Sequence, residues 1–174
     1  MEVKLRSEMS DDFKWDLTHL YKNQEELDSD CESVEKSIKK LKKFKKLHKL
    51  DKLKKCFDLV TNVDKTLNKL FVYAQRYLDQ EQNNEEADKL VQRISDLATK
   101  FSSESNFIID EIIHFTPDVT DKIFRSDDLK KYHFDVQNIL RGKEHILSKK
   151  EEKLLEKKYG EVYLQYKKKV KNWI

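Results

Sequence analysis

Five histidines, His19, His48, His114, His133 and His145, are the side chains best suited to acid–base or metal chemistry, and their spacing denies them most of it. None lies three to five residues from another histidine or from a cysteine, so the paired ligands of a zinc site are absent, as is HExxH. Glu144-His145 sets an acid beside an imidazole. Adjacent residues do not converge on one ion, and no second ligand follows at helical spacing. A Ser-His-Asp or Cys-His arrangement could arise only through folding, because nothing marks a nucleophile elbow or a P-loop. Gly 2 in the whole chain excludes a phosphate-cradling loop. No catalytic, metal or cofactor-binding residue is therefore assigned in this chain.

The two thiols, Cys31 and Cys56, fall on what read as consecutive antiparallel helices with a turn near His48. At ~1.5 Å per residue they are offset by roughly 13 Å along the axes, beyond disulfide reach. Both are expected as reduced core or boundary thiols.

The strongest charge feature is KKLKKFKKLHKLDKLKK, the run Lys39 to Lys55, with ten lysines in seventeen residues and Asp51 as its one acid. Such a run could be a surface for nucleic acid or anionic lipid. It could equally be the solvated end of a helical hairpin whose Leu41, Phe44, Leu47, Leu50 and Leu53 face inward. Arginine, the better phosphate reader, is missing from it, and the net charge of the chain is only +3. The hairpin reading is preferred. Among the aromatics, Trp15, Tyr73, Tyr77 and Trp173 are conspicuous, and the two tyrosines are expected at the boundary, one on each side of an apolar stripe.

Helices must position all of these. At 174 residues the chain fits one domain, 1–174, and its Gly 2 and Pro 1 leave little material for hairpins and loops. Charged residues reach 40% against 37% hydrophobic, yet the apolar residues recur with helical period, which argues against disorder. No apolar run approaches the ~18 residues of a membrane span, and no secretion signal opens the chain; a cytoplasmic location is expected.

An extended arm with a short helical turn covers residues 1–22. A first helix is predicted from Gln24 to about Phe44 with the stripe Leu27, Cys31, Val34, Ile38 and Leu41, capped by Asn23 with Glu26. A second runs from Asp51 to about Leu78 with Leu53, Phe57, Val60, Val63, Leu67, Leu70, Phe71, Ala74 and Leu78 inward. A third, capped by Asn84, continues as one long or bent helix to about His114. Thr116-Pro117-Asp118 then forces a turn. A short helix or turn around Val119 to Phe124, a helix from about Asp127 to Arg141 and a last one from Ser148 complete the chain. Gly142 is placed at a helix end in the left-handed conformation, and Ser148 with Glu151 has capping-box spacing, with Leu147 as a staple. The fold class is all-α: long antiparallel amphipathic helices forming a bundle.

Several segments, in order, resemble the N-terminal helical region of oligoendopeptidase F, a family of zinc metallopeptidases related to thimet oligopeptidase. They are Lys14-Trp15-Asp16-Leu17 with Leu20-Tyr21, then Leu70-Phe71-Val72-Tyr73-Ala74 with Leu78-Asp79, then Phe107-Ile108-Ile109-Asp110-Glu111-Ile112. Leu129-Lys130-Lys131-Tyr132, Ile139-Leu140-Arg141 and His145-Ile146-Leu147-Ser148 with Glu151-Glu152-Lys153-Leu154-Leu155 follow. The likeness covers residues 13–156 and fades over a divergent C-terminal helix, 157–174. It implies a cleft-wall or lid domain of an enzyme acting on short peptides, itself not catalytic and a fragment or truncated form. The catalytic metallopeptidase domain, with its zinc, HExxH and glutamate ligand, would be a partner beyond residue 174. No specific nucleic acid and no membrane is expected. The alternative is a stand-alone interaction module meeting an anionic partner through the Lys39–Lys55 run.

Overall fold

The computed structural model describes residues 8–44, 46–80, 83–143 and 149–170. Among them every regular element is helical, so the fold is all-α. A 3-10 turn, Asp11–Phe13, precedes α1 (Gln24–Leu41), α2 (Leu50–Gln80), α3 (Glu85–Ser105), α4 (Phe107–Ile113) and α5 (Pro117–Phe124); a 3-10 helix, Asp127–Tyr132, then leads to α6 (His133–Gly142) and α7 (Lys149–Val170). None of these helices is long and apolar enough to cross a membrane.

Capping residues set where the helices start. The Asn23 side chain accepts from the Glu26 amide at 2.9 Å, while the Glu26 carboxylate accepts from the Lys22 amide at 3.1 Å. This is the anticipated capping box with the glutamate reaching one residue further back. Asn84 accepts from the amides of Glu86 and Ala87 at the head of α3. Pro117 begins α5, where its missing N–H costs nothing.

The chain divides into two compact units, Met1–His133 and Phe134–Ile174. In the first, α1, α2 and α3 pack against one another. Asp28 of α1 pairs with Arg93 of α3 and Lys42, just past α1, with Glu104 near the end of α3, so α1 and α3 run in the same direction. Asp30 near the start of α1 pairs with Lys69 late in α2, which places α2 antiparallel to both. The α1 stripe, Leu27, Cys31, Val34, Ile38 and Leu41, is buried to 1% exposure or less. Leu53, Leu70, Ala74, Ala87 and Ile94 line the same core. Each such aliphatic side chain of Val, Leu or Ile contributes about 1.5–3 kcal/mol through its removal from water.

In the second unit α7 is broken at Gly160, whose φ of 52° and ψ of −129° are not helical. Glu156 and Lys167 lie 3.5 Å apart across the break. An uninterrupted helix would separate them by roughly 16 Å. The segment therefore doubles back.

Several sequence expectations are corrected. Helix α1 stops at Leu41 and not at Phe44, where bonds from Lys43 to Lys40 and from Phe44 to Leu41 tighten into 3-10 turns. The third helix is not continuous, since Asn106 separates α3 from α4. The helix from Asp127 begins as a 3-10 segment and becomes α-helical only at His133. Gly142 is helical; the left-handed glycine is Gly160. Phe71 is 48% exposed, because the α2 stripe that faces the core shifts around it to Leu70 and Ala74. The Ser148–Glu151 capping box, the loop with His145, and Trp173 fall at least partly outside the described residues.

Candidate functional site

Of the four described histidines, three have partners within the fold. His114 Nδ1 is 2.6 Å from the Asp110 carbonyl, one helical turn back. His133 Nε2 is 3.0 Å from the Ile123 carbonyl, and its ring meets Phe124 edge-on. His19 lies 3.6 Å from Asp16 at the surface. His48 and His114, distant in sequence, share a recess of about 550 Å³ with Asp110, Glu111 and Phe115. Among the described residues no group of three or more histidine, cysteine, aspartate or glutamate side chains could hold a metal ion. Cys31 and Cys56 are free and fully buried, in keeping with reduced core thiols. Burial pushes both thiols up, Cys56 to about 12, so neither is a nucleophile at neutral pH.

Aromatic side chains gather where the start of α1 meets the end of α2. Tyr21 meets Tyr73 edge-on with centroids 5.3 Å apart, and Tyr73 stacks on Tyr77 at 6.1 Å. The tyrosines do not flank the stripe from opposite sides, as the sequence suggested; one helical turn apart, they form one stack. Tyr21 donates its hydroxyl to Asp30 at 2.8 Å, and the Lys69 ammonium sits 3.8 Å above the Tyr21 ring. Burial, followed by the Asp30 carboxylate, raises the Tyr21 phenol far above its usual range. Nearby, Arg76 covers the Trp15 ring at 5.2 Å and Gln80 donates to the Trp15 carbonyl at 3.0 Å, tying the N-terminal arm to α2. A groove of about 560 Å³ opens beside this stack, lined by Gln24, Tyr73, Tyr77, Glu86, Leu90 and Arg93.

Two carboxylates organise the surroundings. Asp58 on α2 accepts from Lys131 at 2.7 Å, the Tyr132 hydroxyl at 2.6 Å and Lys54 at 3.0 Å. Lys131 first, then Tyr132 and Lys54, hold its pKa well below the usual carboxylate range. Tyr132 also stacks on Phe57 at 4.8 Å, so the 3-10 helix is pinned to α2 by a ring and a carboxylate together. Glu111 on α4 accepts from the backbone amides of Lys46 and Leu47 at 3.2 and 2.6 Å. It thereby fixes the lysine-rich turn between α1 and α2. Leu41, Leu47 and Leu53 of that turn are fully buried, and Phe44 and Leu50 half-buried, so the inward-facing reading of the run holds. Neither carboxylate role was visible in sequence, because each joins elements more than sixty residues apart.

Known proteins give the arrangement its context. Residues 111–161 match the profile of the family described as Oligopeptidase F. An oligoendopeptidase F homolog of Borreliella burgdorferi is 29% identical over 162 residues, which cover 92% of this chain and 27% of that protein. An oligoendopeptidase F homolog of Lactococcus lactis is 26% identical over 157 residues, 88% of this chain and 26% of the relative. The chain thus spans about a quarter of the length of the curated relatives it matches. A crystal structure from Chlamydophila abortus shares the fold, with a TM-score of 0.73 at 24% identity, over 91% of this chain and 27% of that one. The chain is similar to the N-terminal helical region of oligoendopeptidase F, as its motifs indicated.

Proposed function

We propose that this chain acts as a helical cleft-wall or lid segment of an oligoendopeptidase F-type enzyme, restricting access to short, unfolded peptides and contributing no catalytic group. The observation that carries this reading is the similarity over about nine-tenths of the chain to only about a quarter of each peptidase relative. The helical bundle and its aromatic groove support a role in shape and contact. Bound zinc in such an enzyme would supply an activated water and polarise the scissile carbonyl. The described residues of this chain do not fit that ion, since no ligand cluster forms among them and His114 and His133 sit against backbone carbonyls. Its own residues would bind and orient peptide, with Tyr73 and Tyr77 lining the groove and Arg93, held by Asp28, at its edge.

A chimaera tests this. The corresponding N-terminal segment of the Borreliella burgdorferi relative is replaced by this chain, and the relative's own segment is rejoined as a control. Cleavage of quenched fluorescent oligopeptides, with folded proteins left intact, is the expected result. A folded, zinc-loaded chimaera that cleaves nothing, or that no longer discriminates by substrate size, would overturn the proposal.

A further inference from the structure

We propose that the lysine-rich turn between α1 and α2 is a preformed docking surface for an acidic peptide segment. This stands independently of the peptidase reading, because it rests on the turn alone. Lys39, Lys40, Lys43, Lys46, Lys49 and Lys55 are exposed and form no ion pair among the described residues. Two other lysines of the run are neutralised, Lys42 by Glu104 at 2.8 Å and Lys54 by Asp58 at 3.0 Å.

The fold does not need this concentration of charge. Three fully buried leucines, Leu41, Leu47 and Leu53, anchor the turn, and any polar side chain would solvate the positions between them. Lys49 and Lys52 flank the start of α2, where the helix macrodipole disfavours cations and Asp51 is the one acid of the first turn. A local rule broken without a structural gain points to binding. The turn is also rigidly presented. Glu111 grips its backbone through the Lys46 and Leu47 amides, so association need not order the main chain there.

Chemistry selects the partner. Carboxylates already dock on this turn, Glu111 on the amides and Glu104 on the Lys42 ammonium. The run has no arginine to fork onto a phosphate. It also exposes no aromatic face for a base and no apolar wedge for a bilayer, since Phe44 is half-buried and the leucines face inward. Dispersed ammonium groups on a turn held by Glu111 fit dispersed carboxylates.

The test uses the full chain and a fluorescein-labelled peptide of alternating glutamate and glycine, followed by anisotropy, with the glutamine counterpart as control. Binding of the glutamate peptide should weaken steeply as salt rises toward 0.15 M, where the screening length is about 8 Å. Lys43→Gln/Lys46→Gln/Lys49→Gln should weaken it about tenfold, from exposed pairs of modest individual strength. Lys65→Gln/Lys100→Gln/Lys130→Gln, which removes the same charge elsewhere, should change it by less than about twofold. Circular dichroism confirms that both variants fold. Equal binding of the glutamine peptide, or equal loss in both variants, overturns the proposal. So does tighter binding to duplex DNA or to phosphatidylglycerol vesicles at matched charge, which would assign the surface to a phosphate partner.

Discussion

The Glu111 carboxylate accepts a 2.6 Å hydrogen bond from the backbone amide of Leu47, sixty-four residues earlier in the chain. Its second oxygen takes the neighbouring Lys46 amide at 3.2 Å, where the backbone adopts a φ of 61°. A non-glycine residue in that left-handed region costs about 1–2 kcal/mol. The carboxylate, seated on two successive amides, offsets that cost and satisfies two donors of the turn. The third helix breaks at Asn106. The break starts a separate helix, α4, which carries Glu111 to the turn.

Glu111→Gln should therefore destabilise the first unit by about 1–2 kcal/mol, since charge-assisted bonds are replaced by one neutral acceptor. Urea denaturation reads the loss, and hydrogen exchange should quicken at the Lys46 and Leu47 amides. An unchanged midpoint with unchanged exchange would mean that the clamp contributes nothing.

Asp58 gives the fold a pH dependence with a definite sign. Its folded pKa lies below the unfolded value of about 3.9, so the stabilisation is fully present near neutrality and is lost as pH falls through the folded value. With the carboxylate about a third exposed, solvent screening limits the effect to about 1 kcal/mol. Asp58→Asn should lower stability at pH 7 and flatten the acid limb of the curve, so that the two proteins converge in strong acid. A constant difference at every pH would show that the charge is irrelevant.

The thiols should be silent in the folded protein. Both are 0% exposed, and burial raises both pKa values. Ellman's reagent should react slowly with native protein and promptly with two thiols per chain in denaturant. Rapid native reaction of either cysteine contradicts its placement in the core.

Gly160 permits the reversal in α7. An added Cβ would meet nothing within 4 Å, so its backbone angles alone make Gly160→Ala costly. The substitution should straighten the segment into continuous helix and part Glu156 from Lys167. Spin labels at Lys153 and Lys167 should report a distance longer by about 10 Å or more, given the rise per residue. An unaltered distance would show that something other than the glycine sets the kink.

Purified, the 174-residue chain should neither retain stoichiometric zinc nor cleave peptides, because catalytic zinc needs three converging ligands and an open position. Elemental analysis after dialysis and a quenched-peptide assay check both halves. One zinc per chain, with turnover abolished by chelator and restored by metal, contradicts the expectation.

Helical period was legible in sequence wherever a stripe runs unbroken, as from Leu27 to Leu41, because a residue every three or four positions falls on one face. Asn23 and Asn84 were legible as caps because capping is chemistry between near neighbours. Phe71 was misplaced because hydrophobicity alone does not say which edge of a wide stripe meets the neighbouring helix.

What the sequence determined by itself is therefore local: the all-α class, the helix starts capped by Asn23 and Asn84, the inward leucines of the lysine run and the motif order that matches a peptidase family. Tertiary structure alone decided the tyrosine stack, the recess shared by His48 and His114, and the carboxylates of Asp58 and Glu111. Periodicity and capping act over one or two helical turns, where sequence distance fixes spatial distance. A carboxylate that grips an amide sixty-four residues away depends on helix directions and on a break at one asparagine, and no local pattern encodes those.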